Sequence, residues 1–117
     1  MKFHPYYLLL GALALGGCAS APAPIEQMRL ADQALDQARA VGATEDTAEF
    51  ALAVAKMTQA RSDMADKAFK SARLQAEQAE LDARAAEAKV LTQKSQDQLA
   101  VINTRIDRLR KQLQEGQ

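Results

Sequence analysis

Cys18 is the residue whose type and setting point most directly to a chemical reaction. It is the only cysteine of the 117 residues, and it follows Leu15, Gly16 and Gly17. Thiolates are strong nucleophiles, and two glycines leave the preceding backbone open to a peptidase. We expect cleavage before Cys18 and transfer of a diacylglyceryl group to its sulfur.

The segment before Cys18 has the composition of an export signal. Lys2 and the free amino terminus are positive, and an apolar run extends from Tyr6 to Leu15. These features are typical of a cleaved signal peptide, and the four residues that end at Cys18 resemble the bacterial lipobox. We therefore predict a lipoprotein signal peptide over residues 1–17, a lipidated tether over residues 18–24 and acylation of the new amino terminus of Cys18.

Two other interpretations of this segment are an uncleaved membrane anchor and an ordinary secreted protein with a free thiol. An anchor needs about 20 apolar residues, whereas the stretch from Tyr6 to Ala21 contains only 16 residues before Pro22. A lone cysteine directly after small residues disfavours the free thiol. Ala19 stands where an Asp would resemble an inner-membrane retention signal. We therefore expect an anchor in outer-membrane lipid, on the periplasmic face.

Other catalytic groups are scarce. The only histidine, His4, would leave with the signal peptide, and the sequence has no Gly-rich phosphate loop. We predict no enzyme activity and no cofactor beyond the covalent lipid. Met28, Met57 and Met64 could bind a soft metal, but their spacing fits core residues better, so we predict no metal site. The formal charge of +0 argues against binding to nucleic acid.

The composition predicts an all-α fold. The chain contains 25 Ala and 12 Gln, and only 21 residues from Cys18 onward are Ile, Leu, Val, Met or Phe. That set cannot fill a thick globular core, but Ala, Gln, Glu, Lys, Arg and Leu form helices readily.

Apolar periodicity and end signals predict three helices. The first covers residues 25–41, with Pro24 as its first helical residue and Gly42 as a left-handed cap. The second follows a capping box from Asp46 to Glu49. The third covers residues 67–114, with Asp66 as its N-cap. A helical hairpin over residues 25–66 should thus pack on a long helix within residues 67–117.

The predicted contact between these helices uses one face of each. Alanines spaced by three and four form a narrow seam on the first half of the long helix. We expect the hairpin to close on this part of the helix. The faces concerned are Ile25, Met28 and Leu35; Phe50, Val54 and Met57; and Phe69, Ala72 and Ala76.

The second half of the long helix carries a coiled-coil pattern over residues 99–113. Its apolar residues are Leu99, Ile102, Ile106, Leu109 and Leu113, spaced 3, 4, 3, 4. Such spacing is the seam of a coiled coil. The hairpin is too short to cover it, so we predict that these five residues bind a partner. A parallel homodimer would oppose Arg105 to Arg110, which favours an acidic partner or a higher-order self-assembly over a simple parallel dimer. The alternative is a solvated tail.

The chain resembles a proteobacterial lipoprotein family catalogued as domain of unknown function 4398. The resemblance covers nearly all of the predicted mature chain, and four stretches carry it: Cys18 to Ser20 with Pro22 and Pro24; Ala38 to Ala43; Ala53 to Met57 with Ala60; and Ala72 to Arg84. It implies a tetratricopeptide-like hairpin followed by a long helix. The family usually has Gly-Asp before an aromatic residue at the second turn, where this chain has Lys67 and Ala68. Some members carry a peptidoglycan-binding domain behind the long helix, and we expect none here.

Together these features predict a noncatalytic envelope scaffold or adaptor, anchored in the outer membrane and reaching into the periplasm. Its partner would be an envelope protein or another copy of the chain, bound through the C-terminal helix. The alternative is a periplasmic chaperone or ligand-binding module that uses the groove between the helices. Covalent attachment to peptidoglycan is disfavoured because the sequence ends Glu115-Gly116-Gln117, without a terminal lysine.

Overall fold

The computed structural model describes residues 21–116, which form three helices and, within that range, no strand. Helix α1 covers Ile25–Ala40, α2 covers Ala48–Ala65 and α3 covers Phe69–Glu115. The predicted all-α hairpin on a long C-terminal helix is confirmed. The predictions for the signal peptide and Cys18 lie outside the described residues.

Helix α1 ends in a Schellman motif, as Gly42 predicted. The Gly42 N–H donates to the Arg39 carbonyl at 2.9 Å, and the Ala43 N–H donates to the Ala38 carbonyl at 2.9 Å. Gly42 has a φ of 102°, a conformation that costs glycine little. At the other end of α1, Pro24 is the cap and not the first helical residue.

Helix α2 begins without the predicted capping box. Its N-cap is Thr47, and no side chain caps its first turn. The Glu49 carboxylate instead accepts hydrogen bonds from Lys89 Nζ on α3, at 2.9 and 3.0 Å. The prediction was wrong because Thr47, and not Asp46, is the N-cap, which makes Glu49 the second helical residue and not the third that a capping box requires.

The turn between α2 and α3 is a second Schellman motif. The Lys67 N–H donates to the Met64 carbonyl at 3.1 Å, and the Ala68 N–H donates to the Asp63 carbonyl at 2.8 Å. Lys67 has a φ of 58°, so a lysine occupies the left-handed position that usually takes glycine. The tight turn therefore forms without the Gly-Asp pair. Asp66 closes α2 and does not cap α3, which begins later than predicted, at Phe69.

Ion pairs between the helices fix their directions. Lys56 Nζ on α2 lies 2.6 Å from Asp82 Oδ2 on α3, and Lys89 meets Glu49 further along. Helix α2 therefore runs antiparallel to α3. Arg61, near the C-terminal end of α2, pairs with Asp32 on α1 at 2.5 Å, whereas the Val41 carbonyl at the end of α1 accepts a hydrogen bond from Lys94, far along α3. Helix α1 therefore runs antiparallel to α2 and parallel to α3.

The core lies between the three helices and is built mainly from alanine. Its largest buried side chains are Phe50, Met57 and Leu35, with Met28 and Val54 packed at the edge. These predicted contacts are confirmed, and Phe69 is half-buried. The prediction for Ile25 was wrong, because its side chain is 66% exposed. Ile25 lies roughly 120° around α1 from the centre of the buried face, at 100° per residue.

The predicted alanine seam of α3 consists of Ala72, Ala76, Ala79, Ala83 and Ala86, and all five are fully buried. Small side chains let the helix backbones approach closely, since each fills little of the space between two helix axes. The seam continues to Val90, which packs at the edge of the core.

Candidate interaction surface

Helix α3 extends far beyond the hairpin that packs on it. Every residue from Leu91 to Gly116 is exposed, and we call this segment the arm and residues 24–90 the body. The last hydrogen bond between body and arm joins Lys94 Nζ to the Val41 carbonyl at 2.7 Å. At 1.5 Å per residue, the helical part of the arm is about 37 Å long. The expectation that the hairpin cannot cover the whole helix agrees with this geometry.

The five predicted partner-binding residues, which we call the C-terminal stripe, all lie exposed on the arm. Their exposed fractions are 60% for Leu99, 49% for Ile102, 39% for Ile106, 58% for Leu109 and 73% for Leu113. The structure therefore brings them together as one apolar line along a helix that no other described residue covers. Exposed apolar surface of this continuity marks sites of association.

The stripe continues onto the body along the outside of α3. Its heptad positions, followed toward the N-terminus, meet five exposed residues that we call the outer strip: Leu81, Ala85, Ala88, Thr92 and Ser95. At 100° per residue, the centre of the stripe lies about 140° around α3 from the alanine seam. The seam and the stripe are thus different faces of one helix.

Leu74 and Leu81 were not predicted as site residues, although they belong to this outer face. They are 51% and 66% exposed, and they lie in line with the stripe. The sequence carried the signal, because the heptad register of Ile102 and Leu109 reaches both leucines at intervals of seven. What the register could not show is that the hairpin packs on the opposite side and leaves them uncovered.

The two parts of the molecule carry opposite net charges. Residues 21–90 contain nine Lys or Arg and twelve Asp or Glu, a net charge of −3. Residues 91–116 contain five Lys or Arg and three Asp or Glu, a net charge of +2. The ion pairs within the arm are long and exposed, at 3.7 Å for Arg110 with Asp107 and 3.8 Å for Lys111 with Glu115. The arm therefore presents a basic surface beside its apolar stripe.

Several titratable groups of the body form hydrogen bonds that support its structure. Hydrogen bonds from Lys89 hold the pKa of the Glu49 carboxyl below its ordinary value, and Arg29 does the same to the pKa of Glu26. Asp63 is buried, and its carboxylate accepts hydrogen bonds from Gln59 Nε2 at 2.8 Å and Ser71 Oγ at 2.5 Å. These bonds satisfy the buried carboxylate and join α2 to α3 beside the turn.

The described residues hold no group of three or more His, Cys, Asp or Glu side chains that could bind a metal. Met57 is buried in the core, and Met28 packs at its edge. No helix in the described range has the length and apolarity needed to cross a membrane.

Comparison with known proteins identifies the family. The sequence model of a domain of unknown function, DUF4398, matches residues 26–102, from α1 through the first two residues of the stripe. A crystal structure of a DUF4398 family protein from Pseudomonas aeruginosa PAO1 is 60% identical, with a TM-score of 0.80; the match covers 82% of this chain and 100% of that one. A search of curated proteins gave no match. On this family match and this structural likeness, the chain belongs to the DUF4398 family.

Proposed function

We propose that the protein is a lipoprotein scaffold or adaptor of the bacterial envelope, anchored by lipid on Cys18 to the periplasmic face of the outer membrane. The observation that carries the scaffold role is the C-terminal stripe on the arm. Five large apolar side chains lie 39% to 73% exposed in one line, and the body does not cover them. Their role is to bind a partner.

The energetics of the arm support this role. Most of the stability of a helix in a protein comes from packing of its apolar face, and helix propensity adds little. Burying each Leu or Ile of the stripe contributes about 1.5–3 kcal/mol before the entropy of ordering is subtracted. Burial of the stripe against a partner therefore lowers the free energy much more than exposure to solvent does.

The direction of the helices supports a tether at one end and binding at the other. Because α1 runs parallel to α3, Pro24 lies at the end of the body where α3 begins, and the arm leads away from it. The predicted tether over residues 18–24 reaches at most about 20 Å from Cys18 to Pro24, over six residue steps. A lipid on Cys18 thus holds the body close to the membrane and leaves the arm free to bind.

A noncatalytic role agrees with the chemistry of the described residues. Each oxygen of the buried Asp63 carboxylate accepts a hydrogen bond, from Gln59 or from Ser71, so this carboxylate joins α2 to α3. The alternative role, a chaperone or ligand-binding module with a groove between the helices, has less support because the alanine seam facing α1 and α2 is fully buried.

Two measurements test the proposal. Mass spectrometry of the purified full chain should show an acylated N-terminal Cys18, and the protein should fractionate with the outer membrane. Cys18→Ser should abolish both. An unmodified Cys18 or an intact Met1 would contradict the lipoprotein assignment.

The scaffold role is tested by crosslinking in native envelopes. Ile102→Asp with Ile106→Asp should abolish recovery of a stoichiometric crosslinked partner. Val101→Asp with Thr104→Asp, which adds the same charge on another face of the arm, should preserve it. Equal recovery from both variants would show that the stripe is a solvated tail. Suppression of aggregation of unrelated unfolded proteins, unaffected by the stripe variant, would favour the chaperone role.

A further inference from the structure

We propose that the partner of the arm is a second copy of this chain, bound antiparallel along the outer face of α3. This inference rests on the proposed function and names the partner of the same surface. The observation that carries it is the arrangement of the stripe and the outer strip. Large side chains follow one half of the exposed heptad line, and mostly small ones follow the other half.

A parallel dimer is disfavoured by every pair of charges that would flank its seam. In a parallel coiled coil, the residue just before each heptad a position, here Gln78, Ala85 and Ile106 among others, faces the residue five places later on the other chain. In this chain such pairs are all of like sign: Glu77 with Asp82, Arg84 with Lys89, and Arg105 with Arg110. Like charges in these positions oppose association.

An antiparallel dimer centred near residue 97 avoids these conflicts and matches large side chains to small ones in four of its five layers. The stripe of each copy then lies on the outer strip of the other. The facing layers are Leu99 with Ser95, Ile102 with Thr92, Ile106 with Ala88, Leu109 with Ala85, and Leu113 with Leu81. Alternation of large and small residues lets facing helices interdigitate, so all five stripe residues become buried.

The charges also complement each other in this register. Arg110 of one copy faces Asp82 of the other, while Arg105 faces Leu91 and Gln112 faces Arg84. Asp82 already accepts a hydrogen bond from Lys56 Nζ through Oδ2, and no other described residue donates to its Oδ1, which leaves that oxygen for Arg110. More broadly, each arm, at +2, lies along a body at −3. The dimer thus pairs opposite charges at both ends through its twofold symmetry.

The contact has the dimensions of a stable interface. The shared length, residues 81–113, is about 50 Å at 1.5 Å per residue. It includes about 20 seam and flanking residues on each chain, and specific interfaces use about 20–30 per side. The two bodies lie at opposite ends of the rod and do not meet. The two tethers are then roughly 85 Å apart, by the same rise per residue, so a dimer with both lipids inserted lies along the membrane.

Charge reversal at Arg110 tests the proposal, because it should weaken an antiparallel dimer and strengthen a parallel one. The full lipoprotein in detergent is studied by sedimentation equilibrium, with Arg110→Glu and the matched control Arg108→Glu, which lies off the seam. In the antiparallel dimer, Arg110→Glu faces Asp82, and its dissociation constant should rise by about tenfold or more. Arg108→Glu should leave it within about twofold. Tighter association of Arg110→Glu would indicate the parallel dimer and overturn the proposal.

Disulfide crosslinking provides the second test, because Cys18 is the only native cysteine. A tagged Leu81→Cys chain mixed with a Leu113→Cys chain should form a mixed disulfide dimer. Leu113→Cys alone should form none, because its two copies lie far apart. A disulfide between two Leu113→Cys chains, or a monomer in sedimentation of the unaltered protein, would overturn the proposal. Acylation of Cys18 and fractionation with the outer membrane are measured separately, so failure of the dimer leaves the lipoprotein assignment standing.

Discussion

The body and the arm distribute their apolar residues in opposite ways. In the body, the fully buried positions of α3 are five alanines, and the larger core residues are few. In the arm, five Leu and Ile side chains on the same helix lie exposed along one line. A helix bundle that only had to be stable would place the larger side chains in its core, because burial of apolar area drives folding. This difference supports the proposed role of the arm in association.

Removal of one large side chain from each region tests the difference between the body and the arm. Phe50 in the body is 3% exposed, and its replacement by Ala should lower the free energy of unfolding by about 3–5 kcal/mol because it leaves a cavity. Leu109→Ala in the arm should change it by less than about 0.5 kcal/mol. Both variants are measured by urea unfolding at concentrations below those of association. A large loss in the arm variant would show that the arm contributes to monomer stability.

Replacing a buried and an exposed alanine of α3 by a larger residue also tests the difference between the body and the arm. Ala79→Leu places a large side chain on the buried seam and should cost about 1–3 kcal/mol, because α1 and α2 must move apart or the new side chain must leave its preferred rotamer. Ala100→Leu, on the exposed arm, should leave the free energy of unfolding within about 0.5 kcal/mol of its original value. Thermal and urea unfolding report both. If Ala79→Leu is tolerated as well as Ala100→Leu, the seam is not closely packed.

Much of this contrast could be predicted from the periodicity of the sequence. The spacing of three and four identified both the alanine seam and the stripe, and Gly42 identified the end of α1. Residues that depend on contacts between helices were harder to predict. Glu49 pairs with Lys89, 40 residues away, and Ile25 turns out of the core because the buried face of α1 is centred elsewhere. Cys18 remains a prediction from its motif.

The left-handed lysine of the second turn gives the next prediction. The Lys67 φ of 58° costs about 1 kcal/mol relative to glycine, because a Cβ crowds the following carbonyl. Lys67→Gly should therefore stabilise the body by up to about 1 kcal/mol. Arg73→Gly, on the exposed side of α3, should destabilise it by about the same amount. Unfolding of both variants should show opposite signs, and a loss of stability in Lys67→Gly would contradict the strain argument.

The smallest expected effect concerns acid stability. Hydrogen bonds from Lys89 lower the pKa of Glu49 from its ordinary value of 4.5 in the folded protein. Its contribution to stability is therefore present above pH 4.5 and is lost as the pH falls through the lower folded value. Glu49→Gln should flatten this part of the curve of stability against pH. Glu115→Gln, at the end of the arm, should leave it unchanged, and an equal flattening by both would exclude the bond between α2 and α3 as the cause.

Helix α3 continues without a break from the body into the arm, so a small change in its direction near the body is enlarged at the C-terminal end of the arm. Lys94 donates a hydrogen bond to the Val41 carbonyl at the end of the body, and Leu113 lies about 28 Å beyond Lys94 along the helix. A bend of 10° in α3 at Lys94 displaces Leu113 sideways by about 5 Å, by the same rise per residue. Gentle curvature of this kind is common in long helices. A small difference in curvature near Lys94 is therefore enlarged at the C-terminal end of the arm, where Leu113 lies.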